Sequence, residues 1–271
     1  MSVSVSCVGA RSYYSAMLVL AVILVGVSLA RFAFLHHSRL LTSGLLAIAL
    51  GFVLYFPTTD HSIDPAIGDG PLGLVNASDL GHILLTLVAW CVLGVLSLRV
   101  LRRNKALHAW LERTAPHLRS GRSIGELAVR AWVVANVITA AAVVVVWSLS
   151  DLRYDEVGDM LELHDTGTNL LVGMYGGWAA FGGVLVVTAS LIGLRDPRAP
   201  HAAVWVMLGV GSCGIGYTAT SAVLLAIGGT DLLQQHSLTV MQVWAFPGLL
   251  LLSLSGVVGL VAELRRPAVA D

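Results

Sequence analysis

Seven apolar stretches, each near the length of a membrane crossing, run through this chain, and most of its charged residues sit in the gaps between them. The hydrocarbon core of a bilayer is roughly 30 Å thick, so a helix rising about 1.5 Å per residue needs about 20 apolar residues to cross it. On that measure the pattern predicts spans at about 13–33, 40–57, 80–101, 129–150, 169–193, 202–227 and 238–262. The second, from Leu40 to Phe56 before Pro57, is the shortest. Backbone groups left unpaired in hydrocarbon are costly, so only helices or a closed barrel can cross. Continuous runs such as Ala140 to Val146 lack the alternation of a barrel strand. The expected fold class is therefore all-α: one polytopic seven-helix membrane domain over residues 1–271, with no repeat at a solenoid period and no low-complexity tract.

Composition agrees. Of 271 residues 56% are hydrophobic and 12% charged, and the mean hydropathy is +0.82. Those values lie outside the range of soluble domains. Three cysteines do not make a disulfide framework, because Cys91 and Cys213 fall inside predicted spans and Cys7 lies near the N-terminus. They are expected to be small packing residues.

Zero formal net charge conceals a segregation by side. The gap from Pro57 to Asp79 carries Asp60, Asp64, Asp69 and Asp79 with no Lys or Arg, whereas the basic loop 102–128 and its flanks carry Arg99, Arg102, Arg103, Lys105, Arg113, Arg119, Arg122 and Arg130. The alternation continues through acidic 151–165, basic 194–201, the turn 228–237 with Asp231 alone, and Arg265 and Arg266 in the tail. Of the 16 basic residues, all but Arg11 and Arg153 fall on one side. Basic loops stay cytoplasmic, which puts the N-terminus outside and the C-terminus inside. A cleavable signal ending at Ser28-Leu29-Ala30 would invert every later loop, so the first span is expected to be retained.

The long inner loop places Leu107, Trp110 and Leu111 at helical spacing beside Arg102, Arg103 and Lys105, which suits a short helix in the headgroup layer touching anionic lipid or a partner protein. Ser123-Ile124-Gly125-Glu126 reads as a capping box opening the fourth span. In the fifth span Gly173-xxx-Gly177 puts two small residues on one face, where another helix can approach closely. Glycines thin the sixth span similarly, and Tyr175, Tyr217, Trp178, Thr218 and Thr220 are candidates to line a cavity between the two. No span carries an Asp, Glu, Lys or Arg near its middle, which argues against an ion-coupled pump. Asn136 and Pro247 interrupt the apolar pattern and are read as packing and kink positions.

The outer side gathers His61, His82, His164 and His236 with several aspartates, residue types that bind zinc or exchange protons. Ser78-Asp79-Leu80-Gly81-His82 sets a Ser and a His four residues apart on one helix face. That spacing resembles the first motif of the seven-span membrane hydrolases that include alkaline ceramidases and adiponectin-receptor-like proteins, where Ser, Asp and three His surround zinc. The late H-x-x-x-H pair of those proteins is missing, since His236 is followed four residues on by Val240. Their metal also lies on the inner side. His82, His164 and His236 are thus the weak metal candidates, with no catalytic residue and no cofactor expected.

A second resemblance covers more of the chain. Phe56-Pro57-Thr58-Thr59-Asp60 closes a span, His82 enters the next, and Leu233-Gln234-Gln235-His236 precedes Trp244. This is similar to a family of uncharacterised prokaryotic multi-pass membrane proteins with a Phe-Pro-x-Asp element, a His at the next helix start and a basic residue before a late Trp. Here the first element carries one extra residue, and His236 stands where Arg is usual. The resemblance implies a plasma-membrane protein of unresolved role. The Ala, Val, Leu and Arg bias, with Lys105 the only lysine, suits a GC-rich bacterium such as an actinobacterium. The reading is a non-enzymatic transporter of a small molecule or lipid; the alternative is a sensor or scaffold with a regulatory partner or a second copy, and a zinc-dependent hydrolase ranks third. Nucleic acid is not an expected partner.

Overall fold

A computed structural model describes residues 7–34, 39–55, 76–104, 121–150, 166–197, 199 and 201–264. These residues form helices and no strand. In chain order they are α1 (Cys7–Phe34), α2 (Arg39–Tyr55), α3 (Ala77–Arg102), α4 (Gly121–Leu149), α5 (Thr166–Gly193), α6 (His201–Val240), a π-helical segment (Met241–Ala245) and α7 (Phe246–Leu264). Six of the apolar helical stretches are long enough to cross a membrane, and α2, at 17 residues, is shorter.

Packing closes a ring. α1 lies against α2 and α7, α2 against α3, α3 against α5, α5 against α6, and α6 against α7. α4 sits outside, held on α3 and α5, and presents Val134, Val137, Ile138, Val145 and Leu149 outward. The main apolar cluster joins α1, α2 and α7 through Met17, Leu24, Leu45, Ala49, Leu249 and Leu252. A second cluster holds α3, α4 and α5 together around Ile83, Leu87, Val143, Trp147 and Leu171. In lipid such contacts are driven by close packing rather than by burial from water.

The first five helices keep within a few residues of the expected spans at their C-termini, and α4 begins earlier than expected. Because Gly121 and Arg122 are already helical, Ser123 lies inside α4 and does not open it as an N-cap. Glu126 reaches across to α3 instead, 3.4 Å from Arg102. The larger difference is at the last turn. α6 breaks at Gly229, whose φ of 67° and ψ of −160° belong to a region reserved for glycine. There the chain reverses into an antiparallel pair. Trp244 Nε1 donates to Thr220 Oγ1 at 3.0 Å, Gly248 lies beside Cys213, and Gly209 lies under Leu251. The expected polar turn 228–237 is thus a single residue, and Asp231, Gln235 and His236 are exposed positions on a helix that has already begun. Gly229→Ala should cost on the order of 1–2 kcal/mol, because a Cβ is strained at that φ; a thermal midpoint equal to the parent's would contradict the reversal.

Pro247 accounts for the π segment. It has no N–H for the carbonyl of Val243, and the preceding turn widens so that the Phe246 N–H bonds to Met241 O. Asn136 is a packing residue, buried with its Nδ2 on Trp132 O at 2.9 Å. Alternating helix directions bring the basic ends together. Arg31 of α1 donates to Gly256 O of α7 at 3.4 Å, and Leu41, Arg103 and Arg195 border one cleft at the same end.

Candidate functional site

A cavity of about 150 Å³ lies between α2, α3, α5, α6 and α7. Among the described residues no Asp, Glu, Lys or Arg lines it. Its wall includes His82, six residues into α3 and only 7% exposed. It lies in the second turn of α3, near the helix start as its spacing predicts. It is buried because α2 covers α3 there, and Gly51 lets α2 come close enough for a hydrogen bond at 2.8 Å between His82 Nδ1 and Gly51 O. A carbonyl oxygen can only accept, so in the neutral ring Nδ1 carries the proton and Nε2 is left as an acceptor.

Aromatic rings flank the imidazole in a chain. Tyr55 and Phe52 of α2 lie 5.0 and 5.9 Å from it, and Tyr175 of α5 lies 5.7 Å away on another side. Tyr217 of α6 meets Tyr175 edge-on at 6.1 Å. The structure therefore brings Tyr175 and Tyr217 together with His82 at one cavity. Ser221, 8% exposed, also lines it, and its hydroxyl has no hydrogen-bond partner among the described residues. Such a buried orphan is a group that a ligand can satisfy. Trp244 of the π segment completes the wall, its indole N–H already held by Thr220.

One layer closes the cavity toward the basic end. Trp90, Leu93, Ala179 and Val186 form a buried cluster with Leu41 and Met207 against it. Trp90 and Ala179 border the cavity, whereas Leu41, Leu93, Val186 and Met207 border a second, larger cleft of about 670 Å³. The layer is therefore the partition between two spaces that share α2, α3, α5 and α6. Trp90 is seated in a slot made by two glycines: a Cβ on Gly182 would stand 2.5 Å from its ring, and one on Gly214 2.6 Å. A tryptophan at mid-span, away from either interface, was the signal in the sequence that could have singled it out.

The other sequence candidates are placed as follows. Gly173 and Gly177 face outward, and a Cβ on either would meet nothing within 4 Å. The close approach of α5 and α6 runs through Gly183 and Gly211 instead, each glycine's Cβ direction blocked by the other's carbonyl oxygen. Thr218 ties the same pair, donating to Gly176 O and Gly214 O at 3.0 and 3.1 Å. Trp178 packs on Trp132 of α4, 4.5 Å between rings, outside the cavity. Arg102 is tied to Glu126, while Arg103 borders the cleft. Lys105, Trp110 and His164 lie outside the described residues. His236 is exposed on the second arm of α6 and is not among the residues that line the cavity with His82. Among the described residues no three His, Cys, Asp or Glu side chains are placed to hold a metal ion. No protein-family model, curated protein or solved structure matches the chain.

Proposed function

We propose that this chain crosses a bacterial plasma membrane seven times, N-terminus outside, and translocates a small, mainly apolar molecule by opening its ring alternately on the two sides of the Trp90 layer. The observation that carries this reading is the pair of spaces between the same four helices with one thin layer of side chains, Trp90 the largest, dividing them. Gathering of the arginines at one end supports the orientation, with that end cytoplasmic. An uncharged lining supports uncoupled movement of a neutral solute rather than ion-driven transport. A cavity of this order in an apolar wall takes a single-ring molecule, and His82 Nε2 and Ser221 would read its polar substituent. His82 and Trp244, two residues that carry the likeness to the uncharacterised membrane family, both belong to this lining.

Liposomes carrying the purified chain, loaded with mixed small solutes from host cells, should lose a subset faster than protein-free liposomes. His82→Leu should abolish that difference while the protein keeps its fold. Equal loss from both preparations rejects translocation. Solutes retained by the protein without flux would favour the sensor reading, for which the tight seating of Trp90 between Gly182 and Gly214 is the supporting observation.

A further inference from the structure

The cleft at the basic end is a different chemical environment from the cavity behind it. Its walls are apolar, supplied by Leu93, Leu96 and Val100 of α3 and by Val186, Val204 and Met207 of α5 and α6. Its rim carries two guanidinium groups from separate elements, Arg103 just past α3 and Arg195 just past α5. Both are exposed, and neither makes an ion pair with any described residue. Asp196 and Asn104 share the rim; Asp196 offsets part of the positive charge and its backbone carbonyl lies 3.2 Å from His201 Nε2. Long apolar walls below a net positive rim match a molecule with an anionic head and a hydrocarbon tail. Basic pockets between membrane helices on the side facing the cytoplasm hold such headgroups.

We propose that this cleft is a binding site for an anionic phospholipid, its phosphate at Arg103 and Arg195 and an acyl chain lying on Leu93, Val186 and Met207. Those three side chains also contribute to, or pack on, the layer that closes the central cavity. The seated chain therefore backs that layer, whatever molecule the cavity takes. The site does not depend on translocation, and a lipid in it would have to leave before anything passed through the cleft.

The test is native mass spectrometry of the full chain in mild detergent, titrated with phosphatidylglycerol and, separately, phosphatidylcholine. One phosphatidylglycerol should be retained in preference. Arg103→Gln and Arg195→Gln should each weaken it about fivefold, the loss for about 1 kcal/mol per arginine near a membrane surface. Arg99→Gln, a basic residue of α3 that does not border the cleft, is the control and should leave retention unchanged. Ala203→Trp, which fills the cleft from α6 without altering charge, should also displace the lipid. The proposal fails if Arg99→Gln weakens retention as much as the rim variants, which would make the effect one of general surface charge. It also fails if Ala203→Trp binds like the parent, or if inorganic phosphate competes as well as the lipid, which would reduce the site to a small-anion contact. Arg195 is exposed, so its variant reads binding even where Arg103→Gln lowers yield.

Discussion

Trp90→Ala should be among the most damaging single substitutions in this chain and should open the layer that separates its two interior spaces. The side chain is 6% exposed and fills a slot whose floor is two glycines, so neighbouring backbone has no side chain to move into the vacancy. Removing a buried tryptophan that cannot be replaced by collapse costs roughly 3–5 kcal/mol. It should also join the cavity to the cleft, because Trp90 belongs to a buried cluster that lies between them. Two measurements check this: a lowered thermal midpoint in detergent, and release of entrapped glycerol from liposomes carrying the variant. Trp90→Phe should keep most of the stability. Gly182→Val should destabilise the parent, where a Cβ meets the indole, yet be tolerated or restorative in the Trp90→Ala background; such coupling marks residues in direct contact. Liposomes that stay as tight with Trp90→Ala as with the parent would remove the partition from the account of function.

Gly183→Leu should be the next most disruptive change, and Gly177→Leu nearly silent. At Gly183 an added Cβ would lie 2.7 Å from the backbone oxygen of Gly211 and 2.9 Å from Ile215, and the reciprocal approach at Gly211 is 2.9 Å. Backbone on both sides cannot step aside without separating α5 from α6, so the cost falls at or above the upper end of the 1–3 kcal/mol or so typical of overpacking. At Gly177 the same addition meets open space, and a change within about 0.5 kcal/mol is expected. Paired thermal melts of the two variants decide the matter. A reversed order, with Gly177→Leu the more damaging, would mean that α5 presents its other face to a helix, in this chain or in a second copy.

That contrast also shows how far sequence reasoning reaches. Apolar length is a local property, and it located α1 to α5 and the segregation of arginines without any knowledge of neighbours. Which glycines touch another helix depends on how α5 is rotated in the ring, and small residues lie on more than one of its faces: Gly173 and Gly177 on one, Gly182 and Gly183 on others. The likeness of Asp231, Gln234, Gln235 and His236 to a loop misled for a related reason. Polar residues on the exposed side of a first helical turn have the same composition as a turn, and only the φ of Gly229 distinguishes them. His82 was visible as a residue of interest, but its burial was not, because it is set by Gly51 thirty-one positions earlier. Tyr175 and Tyr217 were legible as cavity residues, and Trp90 was passed over although it divides the interior.

The one-residue reversal at Gly229 bears on how the protein is made. In a chain that threads lipid, the arms on either side of it leave no soluble tether on which one could wait while the other enters the bilayer. The two arms then favour entering lipid together, because the Trp244 indole N–H of the second is satisfied by Thr220 of the first. A truncation after residue 229 would accordingly leave the first arm without the partner that holds it through Thr220, Cys213 and Gly209.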